Sequence, residues 1–173
     1  MEKLFKTRIT ELYGIRLPVI ASGLMWLATP EYVGAAVNAG LMGFMTAASF
    51  KDVAALKAGI RRCREITAGK PFGVNIMIRV NRDGVDRVTP LIDAVIDEGV
   101  QFVETAGNNP EAYMKRFKNA GIKVLHKVPG VRYAKKAESL GVDAVTVVGA
   151  EAGGHRGVEP VGTIVATAAA ARA

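Results

Sequence analysis

Cysteine is nearly absent: Cys63 is the only one in 173 residues. A lone thiol closes no internal disulfide, which excludes the small stapled scaffolds of secreted proteins and fits a reducing cytoplasm. Long apolar runs are missing too, since no window approaches the roughly 18 uncharged apolar residues that cross a bilayer. The opening residues, Met-Glu-Lys-Leu-Phe-Lys-Thr-Arg, lack the apolar core of a secretory signal. These absences predict a cytoplasmic location and no membrane partner. Aromatic residues make up only 6% of the chain and do not alternate with its basic clusters, Arg61, Arg62, Arg64 and Lys115, Arg116, Lys118. A single-strand nucleic-acid platform needs aromatic rings among its cations. The net charge of +7 is therefore read as solvated helix faces, with no nucleic-acid partner. The same positive balance suits an anionic small ligand.

What the sequence does have is a repeated junction. A helical segment ends in glycine and a short apolar strand follows: Asn38 to Met45, Asp97 to Val103, Asn119 to Leu125 and Ser139 to Val145. Gly40, Gly99, Gly121 and Gly141 each stand where a helix end favours a left-handed residue. Start signals precede several helices. Ser49 with Asp52 reads as a capping box, and Asn109-Pro110 and Thr89-Pro90 read as caps followed by a first-turn proline. Strands are expected at Leu17–Ile20, Leu41–Thr46, Phe72–Ile76, Phe102–Glu104, Val124–Val128 and Ala144–Val148. Strands alternating with helices predict right-handed crossovers and a parallel α/β sheet, in one domain over residues 1–173.

No Gly-x-Gly-x-x-Gly follows the first strand, which removes the usual dinucleotide fold. Polar residues and glycines instead collect at the strands' C-terminal ends: Ser22 and Gly23, Thr46, Asn75, Glu104 to Asn108, His126 and Lys127, and Gly149 to Gly157. A (β/α)8 TIM barrel keeps its site on that rim. Such barrels take about 250 residues, so the expected architecture is a barrel truncated after about six βα units, lacking the seventh and eighth strands. Exposed sheet edges would then favour a homo-oligomer.

The most unusual stretch is Gly149-Ala-Glu-Ala-Gly-Gly-His-Arg-Gly157, with glycines around one of only two histidines. Together with Pro18 to Gly23, Pro71-Phe-Gly-Val-Asn75, Glu104 to Gly107 and His126-Lys127, it resembles nitronate monooxygenases, formerly 2-nitropropane dioxygenases. The same motifs occur in flavin-dependent enoyl-acyl-carrier-protein reductases. The resemblance implies an FMN-dependent barrel that oxidises alkyl nitronates or nitroalkanes with O2. It also implies roles. Ser22, Gly23, Asn75, Lys127, Gly153 and Gly154 would hold the flavin, and His155 would be catalytic, with no metal. One departure is Ala21-Ser22-Gly23, where the family commonly has glutamine and paired glycines. Enoyl reduction and a catalytically inactive partial barrel are the alternative readings.

The remaining candidates take blander roles. His126 faces the opposite side of its strand from Lys127 and reads as a packed or supporting residue. Cys63 lies at core spacing on a helix. Met25 and Trp26 are candidates for pocket lining or for core.

Overall fold

The computed structural model describes residues 5–79, 83–153 and 160–173. Its elements alternate as the junctions require. They are α1 (Arg8–Tyr13), β1 (Ile20–Ala21), α2 (Pro30–Asn38), β2 (Met42–Thr46), α3 (Val53–Ile66), β3 (Gly73–Ile78) and α4 (Thr89–Asp97). Then follow β4 (Phe102–Gly107), α5 (Glu111–Asn119), β5 (Lys123–Val128), α6 (Val131–Ser139), β6 (Ala144–Val147) and α7 (Thr163–Ala171). All six strands pair in parallel and in chain order, β1 to β6. Sequential parallel strands joined by helices are the construction of a (β/α)8 barrel, here six strands long.

Alternation along the strands sorts two layers. Met45, Val74, Ile76, Val103 and Val124 point outward, against Leu56 and Ile60 of α3, Ile92 of α4 and Phe117 of α5. Met42, Phe44, Phe102 and Leu125 point inward and form a second cluster with Tyr13 and Ile15. Tyr13 sets its ring edge-on to Phe102 at 5.0 Å and to Phe44 at 6.1 Å. Helix α1 thus plugs the inner face beneath the site. Burial raises its Tyr13 hydroxyl well above the ordinary tyrosine pKa. At six residues α1 shows too little periodicity to be read from sequence, but a reciprocal Thr7–Thr10 capping box starts it.

Gly40, Gly99, Gly121 and Gly141 all adopt positive φ, between 64° and 89°. Three helix starts are displaced from expectation. Asp52, not Ser49, caps α3 by accepting from Ala55 N. Asp86 supports the start of α4, its Oδ1 accepting from the amides of Val88 and Thr89. Asn109 accepts from Glu111 N, as a capping side chain does, although the helix starts after Pro110. Strand β1 is shorter than anticipated and begins at Ile20, because Pro18 offers no amide to a ladder.

Candidate functional site

The inward layer turns polar toward the strands' C-terminal ends. Two residues beyond Phe44, Phe102 and Leu125 on the same faces lie Thr46, Glu104 and Lys127. Strand register sets Asn75 beside both Thr46 and Glu104. Glu104 is fully buried and gathers the others around it. Its Oε1 accepts from Ser22 Oγ at 2.6 Å, and its Oε2 accepts from Gly23 N at 3.1 Å and Asn75 Nδ2 at 2.6 Å. Lys127 Nζ stands 3.3 Å from the same Oε2. A carboxylate acting only as acceptor satisfies donors from two strands and one loop at once. The buried charge is balanced by the ammonium of Lys127, whose side chain is 23% exposed.

Four of the residues expected at the site, Ser22, Gly23, Asn75 and Lys127, are therefore brought together by one carboxylate. Glu104 belongs to one of the motifs that carry the family resemblance, yet the sequence alone gave it no role. The available signal was an acidic residue in the apolar strand Phe-Val-Glu-Thr-Ala, with the inward parity of Phe102. Gly23 has a reason of its own: a Cβ there would run into the Asn75 side chain. The neighbour that demands glycine is thus Asn75.

Three polar groups near the strands' C-terminal ends at this junction have hydrogen-bonding capacity to spare. Thr46 is 4% exposed, and its hydroxyl has no partner among the described residues. Asn75 spends its amide nitrogen on Glu104 and, among the described residues, accepts nothing at Oδ1. Lys127 is ion-paired with Glu104. A hydroxyl, an amide oxygen and an ammonium side by side suit a polar heterocycle that both donates and accepts hydrogen bonds.

The glycine-rich stretch is described only up to Gly153, beside which a Cβ would meet nothing within 4 Å. Gly154 and His155 lie outside the described residues. Glu151 serves the fold, accepting from Thr163 N and Thr163 Oγ1, both at 2.8 Å, and so caps α7. After Gly23 the chain rises into a loop of exposed apolar residues, Met25 and Trp26 among them, so neither belongs to the core. Trp26 is 71% exposed, holds a left-handed φ of 66° and donates its N–H to Ser49 Oγ at 2.9 Å. His126 faces away from Lys127 as its strand position requires, with Nδ1 2.8 Å from Thr105 Oγ1. Burial pulls its imidazole below the ordinary histidine pKa, partly offset by hydrogen bonding to the Thr105 backbone. Cys63 is fully buried, and its thiol is pushed up to about 12 by burial.

A parallel (β/α)8-type sheet with a polar junction at its C-terminal rim places the chain in the (β/α)8-barrel class. Within that class, the family described as nitronate monooxygenase matches residues 6–87 and 78–172. The chain belongs to that family. A 5-hydroxy-7a-methyl-1-oxo-octahydro-1H-indene-4-carboxyl-CoA dehydrogenase of Rhodococcus jostii is 35% identical over 158 residues, covering 91% of this chain and 42% of the relative. A probable nitronate monooxygenase of Staphylococcus saprophyticus is 29% identical, covering 87% of this chain and 51% of its own. The solved structure of FabK from Thermotoga maritima superposes with a TM-score of 0.85 at 32% identity, over 97% of this chain and 51% of that one. The chain thus spans about half the length of the relatives it matches.

Proposed function

We propose that this chain carries the cofactor-holding part of an FMN-dependent oxidoreductase. The observation that carries the reading is the Glu104 junction, which fixes Ser22, Gly23, Asn75 and Lys127 while leaving hydrogen-bonding capacity near the strands' C-terminal ends. A flavin's pyrimidine edge alternates carbonyl acceptors with a ring N–H. Thr46 and Asn75 offer both donor and acceptor oxygens to such an edge, and Lys127 offers positive charge. Gly153 and Gly154 would keep side chains away from the cofactor, and His155 would stand at the substrate. When bound, FMN supplies two-electron redox chemistry, which no side chain of this chain can.

The first substrate reading is an alkyl nitronate or nitroalkane oxidised with O2, supported by the family. A neutral nitroalkane must lose a proton from carbon, and an imidazole titrates in the range to take it, the role given to His155. A nitronate arrives as an anion and needs only to be held. The second reading is oxidoreduction of an acyl thioester. It is favoured by a specific observation: the relative named as a carboxyl-CoA dehydrogenase is 35% identical, against 29% for the probable nitronate monooxygenase.

The visible spectrum of the FMN-incubated protein after gel filtration tests the cofactor. Retained flavin bands are expected, and a colourless protein would overturn the reading. Oxygen uptake with a nitronate, set against redox turnover of an acyl-CoA, then separates the substrates. Flavin retention without either turnover would assign a catalytically inactive partial barrel. In an active protein, His155→Ala should keep the flavin and lower nitroalkane turnover by about two orders of magnitude; turnover within a few-fold of wild type would remove His155 from the mechanism.

A further inference from the structure

Beside the Glu104 junction, a separate cleft of about 510 Å³ opens between the ends of β4 and β5 and the start of α6. Lys127 forms part of its wall, so the cleft adjoins the candidate cofactor site. Arg132, Tyr133 and Lys136 from α6 line it together with His126. Three features give it a chemical preference.

The first is the start of α6. Its cap position is Gly130, which brings no side-chain cap, and the first amide bonded back to it is that of Ala134. Among the described residues nothing accepts from the amides of Val131, Arg132 and Tyr133, and such a helix start attracts anions. The second is His126, which is only 6% exposed. Thr105 takes its Nδ1, while Nε2 has no partner among the described residues on a ring that forms part of the wall. That nitrogen is not sealed from solvent, Thr46 Oγ1 being the buried side-chain atom left without a partner among the described residues, so it can meet water or a ligand in the cleft. The third is charge and shape. Arg132 forms no ion pair among the described residues and lies 5.2 Å over the Tyr133 ring, making a flat cationic surface. Lys136 of this wall is paired with Glu111 at 3.1 Å, in a pair exposed at both ends, 51% and 58%. Such a pair costs little to open.

We propose that this cleft is a subsite for the phosphate-bearing tail of a nucleotide-linked ligand, the adenosine diphosphate moiety shared by acyl-CoA thioesters and nicotinamide dinucleotides. The α6 amides and Arg132 hold the phosphate, His126 Nε2 bonds the polar edge of the tail, and the Tyr133 ring stacks against the base. The proposal rests on the thioester reading above and supplies that reading with a place for the substrate's handle.

Calorimetric titration of the full chain with ADP, in low salt, tests it. Binding is expected, weakened at least tenfold in Arg132→Ala and in Tyr133→Ala, with thermal midpoints matching the parent. Arg132→Lys keeps the charge without the planar fork and should fall between them. Displacement of ADP by CoA would assign the tail to a thioester, and displacement by NADPH alone would assign it to a dinucleotide. Absence of ADP binding, or affinity unchanged in both alanine variants, overturns the subsite. FMN retention measured on the same samples keeps the two readings apart. A protein that holds FMN and ignores ADP loses only the subsite, whereas one that binds ADP and not FMN loses only the cofactor assignment.

Discussion

At the scale of single residues, Glu104 is a side chain whose loss should be costly. It is fully buried, accepts from Ser22, Gly23 N and Asn75, and is ion-paired with Lys127. Glu104→Ala leaves an ammonium and three further donors facing a void. Breaking a buried pair from one side costs about 3–5 kcal/mol, and urea unfolding should show a loss of that size. Glu104→Gln keeps the volume and one acceptor oxygen, so its loss should be smaller; equal losses would mean that packing, not charge, organises the junction. His126 makes a second residue-scale expectation. Burial depresses its pKa, so the folded protein binds fewer protons than the unfolded chain. The stability this contributes is complete above the ordinary value of 6.5 and is lost as pH falls through the lower folded value. His126→Gln should flatten the dependence of unfolding free energy on pH between about 5 and 7. An unchanged slope would place the titration elsewhere.

At the scale of elements, packing is tight where a glycine starts β3. A Cβ at Gly73 would strike the Phe44 ring and the Phe102 carbonyl. Gly73→Val should therefore destabilise by about 1–3 kcal/mol, the usual cost of overpacking, read as a lower urea midpoint with an unchanged slope. The strand-and-helix alternation itself was legible in the sequence, because Gly40, Gly99, Gly121 and Gly141 punctuate it and take the left-handed conformation expected of them. The caps were less legible. Ser49 and Asp52 are both good capping residues, and only tertiary contact decides between them: Ser49 Oγ is taken by Trp26 N. The short α1 was hidden for want of length. At the site, chemistry-bearing positions could be read from where polar residues interrupt apolar strands. That one buried acid ties them together could not, since Ser22, Asn75, Glu104 and Lys127 meet only through strand register.

At the scale of the whole molecule, the sheet has two outer strands, β1 and β6, with no further strand pairing among the described residues. Apolar side chains lie near both ends: Val19 is 48% exposed, Val145 37% and Ile164 86%. Unpaired ladder groups beside apolar surface recruit other strands. The 173-residue chain by itself should scatter light as a species heavier than its 18.3 kDa. Adding the remaining half of a relative's barrel in trans should lower that mass toward a one-to-one pair. A monodisperse 18.3 kDa particle would show that the edges are adequately protected.

The left-handed turn at Trp26 has an optical consequence. It is the chain's sole indole, so every photon of tryptophan fluorescence comes from one address, three residues beyond Gly23 on the rim. The tether to Ser49 Oγ fixes its backbone there, while the ring stays 71% open to solvent. Emission from so exposed an indole lies to the red, where the near-ultraviolet absorption of a flavin begins. The protein thus carries a built-in energy-transfer donor at the mouth of its candidate site. Titrating FMN should quench that emission in proportion to occupancy, and Trp26→Phe should erase the signal without altering the affinity measured by flavin fluorescence.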